Sequence, residues 1–243
     1  MNGFTATSPA MSSPGIPDGD LLVPVKTSPL GRRSFLLQAA GVGLGPYVGL
    51  GLKLSKLGSV IGVRAAGLYA GEWPDDTVVA MVRRYRALLD QLDDPPDVLF
   101  GWSLGGVLAW ELAAGYAAVG HHPHVIMIDS PAVATAGDPG ALRRWRERVD
   151  RFAGPVPEGH DPELAARTVH AHLTAVTAHE VTATHDCPTL LMPCAEEDNA
   201  VHLARWREVA ADLTVRPLPC GHFEALGRPH LATVLAHVKE FLR

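Results

Sequence analysis

The sequence predicts an α/β fold: a doubly wound, mostly parallel sheet with a helical insertion over one edge. Three observations carry that expectation. From Leu21 onward, short apolar runs alternate with longer stretches of helical period. Val125-Ile126-Met127-Ile128 is apolar on both faces, as a parallel strand covered by helices on both sides must be. Residues 97–100 run through Gly101-Trp102-Ser103-Leu104-Gly105 directly into a helical pattern, which requires a sharp strand-to-helix turn.

Taken in order, residues 1–19 are rich in Ser, Pro, Gly and Thr and read as a disordered arm or linker, with the folded domain over 20–243. Strands are expected at 21–25, 34–38, 59–63, 98–101, 125–129, 189–194 and 214–218. Helices are expected near 46–57, 77–92, 104–117, 199–211 and 230–242. In the second of these, Val78, Met81, Val82, Tyr85, Leu88, Leu89 and Leu92 share one face, Asp76 is the expected N-cap and Asp93-Asp94-Pro95-Pro96 stops the helix. Residues 130–186 break the rhythm. They show helical pattern at 142–152 and 163–176 and no good strand, so they are expected to form a lid above the Ser103 end of the sheet.

Composition limits the partners. A chain of 243 residues with 47% hydrophobic and 19% charged residues is ordinary for a globular protein. A net charge of −5 with no long basic run argues against nucleic acid and anionic membrane surfaces. No run reaches the ~18 apolar residues of a membrane span. Arg32-Arg33-Ser34-Phe35-Leu36-Leu37 resembles a twin-arginine export signal, but no convincing cleavage site follows and the same residues suit a buried strand. Cys187, Cys194 and Cys220 make an odd count without metal-like spacing, which suits reduced thiols in a cytoplasmic protein. His170-Ala171-His172, with His179 and His185, offers no metal set either: histidines at i, i+2 point to different faces of a helix, and no metal is expected. Arg143, Arg144, Arg146 and Arg148 read as a solvated helix face.

The chemistry centres on Ser103. In the G-x-S-x-G turn a serine hydroxyl stands above the sheet, and the helix behind it aims N–H groups and a positive dipole end at any oxyanion formed there. Such a serine needs a base and an orienting acid, in chain order Ser, acid, His. Among twelve histidines, His222 in Cys220-Gly221-His222-Phe223 lies between the last strand and the C-terminal helix, where a loop can reach Ser103. Two carboxylates compete for the acid. Asp129 closes a fully apolar strand and would be desolvated without a partner, which favours it; Asp198, in Glu196-Glu197-Asp198, is the alternative. The oxyanion donors are expected to be the N–H of Leu104 and, from the glycine-rich loop 38–43, that of Ala40, with Gly41 as the neighbouring candidate.

With these residues placed, the chain resembles the thioesterases of nonribosomal peptide and polyketide synthesis, within the α/β-hydrolases. The markers are Leu22-Val23-Pro24-Val25, Gly45-Pro46-Tyr47, Ala66-Gly67-Leu68, the stretch Leu99-Phe100-Gly101-Trp102-Ser103-Leu104-Gly105-Gly106, Ile126-Met127-Ile128-Asp129-Ser130-Pro131, and Gly221-His222-Phe223. The resemblance covers the chain from about Leu21 to its end. It implies an α/β-hydrolase fold, and a serine thioesterase that takes an acyl, peptidyl or polyketide chain from the phosphopantetheine of a carrier protein in antibiotic-type secondary metabolism. Release would be by hydrolysis or cyclisation, without a cofactor of the enzyme's own. Synthetase-fused members place the acid where Asp129 stands and many discrete editing members where Asp198 stands; the elbow Trp102 and Ile128-Asp129-Ser130 match the first group. One departure is Gln38-Ala39, where the family has His-Pro or a similar pair. The chain starts with Met1 and carries no carrier-protein domain, so it is expected either to act in trans or to be a domain cut from a longer synthetase. A discrete editing (type II) thioesterase or a general carboxylesterase is the alternative, with a non-hydrolytic cyclase or binding module on the same fold ranked behind them.

Overall fold

The computed structural model describes residues 21–41, 43–138, 140–153, 161–195 and 199–243. Seven strands form one sheet: β1 (Leu22–Lys26), β2 (Arg32–Leu37), β3 (Gly58–Val63), β4 (Val98–Trp102), β5 (His124–Ile128), β6 (Thr189–Met192) and β7 (Leu213–Val215). They lie in the order β1-β3-β2-β4-β5-β6-β7, and only β1 runs antiparallel, at the edge against β3. Sheet and helices form the mostly parallel, doubly wound α/β-hydrolase arrangement.

The helices are α1 (Val48–Leu54), α2 (Val78–Leu89), α3 (Leu104–Ala117), α4 (Ala141–Ala153), α5 (Pro162–Ala178), α6 (Ala200–Val209) and α7 (Leu231–Phe241), with a 3₁₀ turn at Gly45–Tyr47 ahead of α1. Two apolar clusters cover the sheet. One packs α2, α3 and Trp206 on one face, and the other packs Tyr47, α1 and α7 on the opposite face. The central strands are buried on both sides: Phe35, Leu37, Leu99, Phe100, Ile126 and Ile128 are fully enclosed. α3 is apolar almost all round because it is wedged between the sheet and its neighbours.

Small departures from the expected boundaries have local causes. β6 stops at Met192 and β7 at Val215, ahead of Pro193 and Pro217, whose nitrogens cannot donate to a ladder. The pairing resumes only as an isolated bridge between Cys194 and Leu218. α2 is capped by Thr77 instead of Asp76, since the Thr77 hydroxyl accepts from Ala80 N–H at 3.2 Å. Arg32 and Arg33 open β2: Arg32 donates to Leu242 O, and Arg33 N–H to the Asp97 carboxylate. The arm expected at 1–19 and the alternative acid Asp198 lie outside the described residues. Between β5 and β6 the described chain contains α4 and α5 and no named strand.

The register places the functional residues. Leu37 pairs with Gly101, Trp102 with Ile128, and Ile128 with Met192, so Gln38, Ser103, Asp129 and Pro193 all come one step beyond the strands on one edge. Ser103 N–H donates to Ile128 O at 2.9 Å and Asp129 N–H to Met192 O at 3.0 Å, which extends the ladder into the site.

Candidate active site

Ser103 sits between β4 and α3 at φ 58°, a left-handed conformation that L-residues adopt only under constraint. The constraint is visible. A Cβ at Gly101 would overlap the backbone of Gly105, one at Gly105 would overlap the Leu37 carbonyl, and one at Gly106 the Ser130 hydroxyl. The turn closes only with glycine at those places. Tyr47 braces it from below: Trp102 N–H donates to the Tyr47 hydroxyl at 2.9 Å inside the core. Complete burial pushes that phenol upward, so it stays neutral.

Asp129 also has positive φ, 45°, and its carboxylate turns inward. Oδ2 accepts from His222 Nδ1 at 2.6 Å, while Oδ1 accepts from Cys194 N–H at 2.8 Å and from the Asn199 amide at 2.6 Å. Both side chains of the pair are almost sealed, 2% exposed for His222 and 3% for Asp129. Burial alone would raise the Asp129 pKa. The hydrogen bond and charge of His222, joined by the Cys194 and Asn199 donors, outweigh it and hold the carboxyl below the usual range. An ionised carboxylate can only accept, so Nδ1 carries a proton, and in the neutral ring that leaves Nε2 as the bare nitrogen.

Three rings surround that imidazole: Trp102 at 5.1 Å, Phe223 at 4.9 Å and, from α4, Trp145 at 5.0 Å between centroids. Two cavities adjoin them. One of about 320 Å³ reaches His222 itself and is lined also by Arg148, Arg151 and Phe152. The other, about 500 Å³, lies between α4 and residues 134–138, with Trp145 and Arg148 in its wall. It is not purely apolar, because Asp138 and Arg144 also line it.

The structure thus brings Asp129 and His222 into contact and puts Ser103 on the same edge, one residue from the Trp102 ring that touches His222. No hydrogen bond joins Ser103 Oγ to His222 among the described residues. Leu104 opens α3 immediately behind Ser103. Ala40 lies on the neighbouring loop after β2, and its N–H has no partner among the described residues. Gly41 N–H, the other candidate donor, is engaged: it donates to His172 Nδ1 of α5 at 3.2 Å. Gln38 turns into the core and donates to the Tyr85 hydroxyl at 3.3 Å.

Three side chains of this site escape a reading of the sequence. Asn199 follows an acidic cluster that hides it. Trp145 is one of several large residues on an arginine-rich helix. His172 carried one signal: it lies on the buried face of α5 with Val169 and Val176, whereas His170 is exposed.

Comparison with known proteins bears on most of the chain. The family model for the thioesterase domain matches residues 35–242. Among solved structures, the thioesterase RedJ of the prodiginine pathway in Streptomyces coelicolor is 24% identical, with 86% of this chain and 89% of that one covered and a TM-score of 0.70. The type II thioesterase BorB, from the borrelidin biosynthetic cluster, is 19% identical over 92% of this chain and 98% of its own, with a TM-score of 0.74. Holo-AB3403, a four-domain nonribosomal peptide synthetase, matches 90% of this chain at 18% identity and a TM-score of 0.75, across 20% of its own length. Among curated proteins none matches.

Proposed function

Since this chain belongs to the thioesterase domain family, we propose that it releases acyl, peptidyl or polyketide chains from the phosphopantetheine thioester of a carrier protein. The observation that carries the reading is the sealed Asp129–His222 hydrogen bond of 2.6 Å beside a serine held at φ 58°. An imidazole with its proton fixed on Nδ1 offers a bare Nε2, the atom a general base needs.

In this mechanism Nε2 of His222 takes the Ser103 proton as Oγ attacks the thioester carbonyl. Asp129 stabilises the imidazolium and keeps its tautomer. The N–H groups of Leu104 and Ala40 receive the tetrahedral oxyanion. His222 returns the proton to the departing thiol as the C–S bond breaks, leaving an acyl ester on Ser103. Water then hydrolyses that ester, or an internal amine or hydroxyl cyclises it. A positioned base supplies about 10²–10⁴-fold and each oxyanion donor about 10²–10³-fold. No cofactor is called for, because the phosphopantetheine arm arrives with the substrate. Similarity to RedJ and BorB, and to a segment of a synthetase, supports a carrier-bound substrate. Among the described residues no helix is long and apolar enough to cross a membrane, and a cytoplasmic setting suits such a substrate.

The test is labelling followed by turnover. A fluorophosphonate should add one phosphonyl group to Ser103, seen by intact mass, and an acyl thioester should be cleaved faster than the matched oxoester. Ser103→Ala should lose both labelling and at least about 10³-fold in rate. A Ser103→Ala protein with wild-type turnover sinks the proposal; equal rates on the two esters would point to a general esterase.

A further inference from the structure

Among the described residues, helix α5 meets the glycine-rich loop after β2 at a single polar contact. His172 stands on its inward face, 1% exposed, and its Nδ1 accepts from Gly41 N–H at 3.2 Å. An accepting Nδ1 is bare, so this ring is neutral with its proton on Nε2. Burial favours the same state, lowering its pKa to about 4. The tautomer is therefore opposite to that of His222, and the ring is suited to hold an N–H in place, not to move protons.

The backbone around this bond leaves little play. Gly41 is at φ +68°, and a Cβ there would run into the Cα and side chain of Val169, one helical turn before His172. The loop lies directly on the helix with no side chain between. On the preceding peptide, Ala40 N–H is free among the described residues. Fixing the Ala40–Gly41 peptide plane through Gly41 N–H limits the rotation of Ala40, and with it the direction of the preceding amide.

We infer that His172 is a positioning residue: its Nδ1 holds the Gly41 amide so that Ala40 N–H faces the oxyanion forming over Ser103. The inference rests on the reaction proposed above and adds to it that a helix of the insertion completes the oxyanion hole without donating to it.

Two variants separate positioning from packing. His172→Asn keeps an acceptor close to the place of Nδ1; His172→Leu keeps volume and removes the acceptor. With the N-acetylcysteamine thioester of octanoate as probe, His172→Leu should lower kcat about 10- to 100-fold with KM nearly unchanged. His172→Asn should recover most of that loss. Wild-type kcat in His172→Leu, or equal losses in both variants, overturns the inference. If wild type does not turn over this thioester, the rate of fluorophosphonate labelling at Ser103 replaces kcat, since phosphonylation uses the same donors. Should His172→Leu fail to fold, nitrogen NMR of the wild type decides. An unprotonated Nδ1 with a coupling to the Gly41 amide is expected, and a protonated Nδ1 refutes it. Ser103→Ala beside these variants keeps the two failures apart: wild-type turnover there defeats the nucleophile, whereas a normal His172→Leu defeats only the positioning role.

Discussion

Helices α4 and α5 come from one insertion and pack against each other, yet they meet the sheet by different means. α5 is stitched down. Thr168 Oγ1 donates to Gly67 O at 2.8 Å, Arg167 donates to Glu72 O at 2.9 Å, and His172 receives Gly41 N–H. The loop it grips is itself organised: Glu72 pairs with Arg64 at 2.6 Å and accepts from Gly67 N–H. α4 meets the site through rings, Trp145 on His222 and Phe152 on Trp102, and its Arg146 reaches Ala166 O of α5. Hydrogen bonds are directional and fix position, whereas ring contacts tolerate sliding. The insertion is thus two devices: α5 a wall belonging to the oxyanion side, α4 a cover over the imidazole.

The largest expected consequence is a pH dependence that α5 carries and α4 does not. His172 titrates at 6.5 in an unfolded chain and at about 4 in the folded one. Between those values the unfolded state binds a proton that the native state refuses, so stability falls as pH falls through this window and the loss levels off below about pH 4. Across the gap the loss approaches about 3 kcal/mol. Denaturant unfolding from pH 7 to 4 should show that drop in wild type and not in His172→Asn, once the contributions common to both, of the carboxylates and of His124 and His185, are subtracted. Parallel curves would mean that α5 does not hold the ring dry, and the contrast with α4 would fail.

A smaller effect probes the bare contact between loop and helix. Gly41→Ala pays for a left-handed alanine and pushes its Cβ into Val169, and should cost about 2 kcal/mol. Val169→Ala in the same protein should return the steric part, giving a favourable coupling in a double-mutant cycle by thermal unfolding. If Gly41→Ala is as stable as wild type, α5 yields as freely as a cover would.

The same contrast explains what the sequence makes legible. Strands and helices follow from local apolar period, which chain neighbours enforce, so β4, β5 and α3 are readable almost to the residue. Ser103 and Asp129 are readable as positions because each ends an apolar strand, and His222 because Gly221 and the final helix bracket it. The helical character of 142–152 and 163–176 is equally plain. What holds each of those helices is not. Gly41 and His172 are 131 residues apart, and Asp129 and Asn199 are 70 apart. No periodicity encodes either pair. Gln38 illustrates the same limit: its place at the end of an expected strand says nothing of a partner, and the fold buries it against the Tyr85 hydroxyl.

The smallest effect on stability, and the sharpest test of the cover, is Trp145→Ala. Trp145 is half-buried, in a T-shaped contact with His222 and with Arg148 over its ring at 4.5 Å. Truncating it removes apolar contact from the wall of the 500 Å³ cavity without touching a hydrogen bond that anchors the helix. Unfolding free energy should change by less than about 1 kcal/mol, while KM for an acyl thioester rises about 5- to 20-fold with kcat nearly constant, as when binding shared by ground and transition states is lost. The opposite pattern, a protein destabilised by several kcal/mol with KM unchanged, would make Trp145 a structural anchor of the same kind as Thr168. α4 would then be a second fixed wall, and access to His222 would have to come from some other part of the chain.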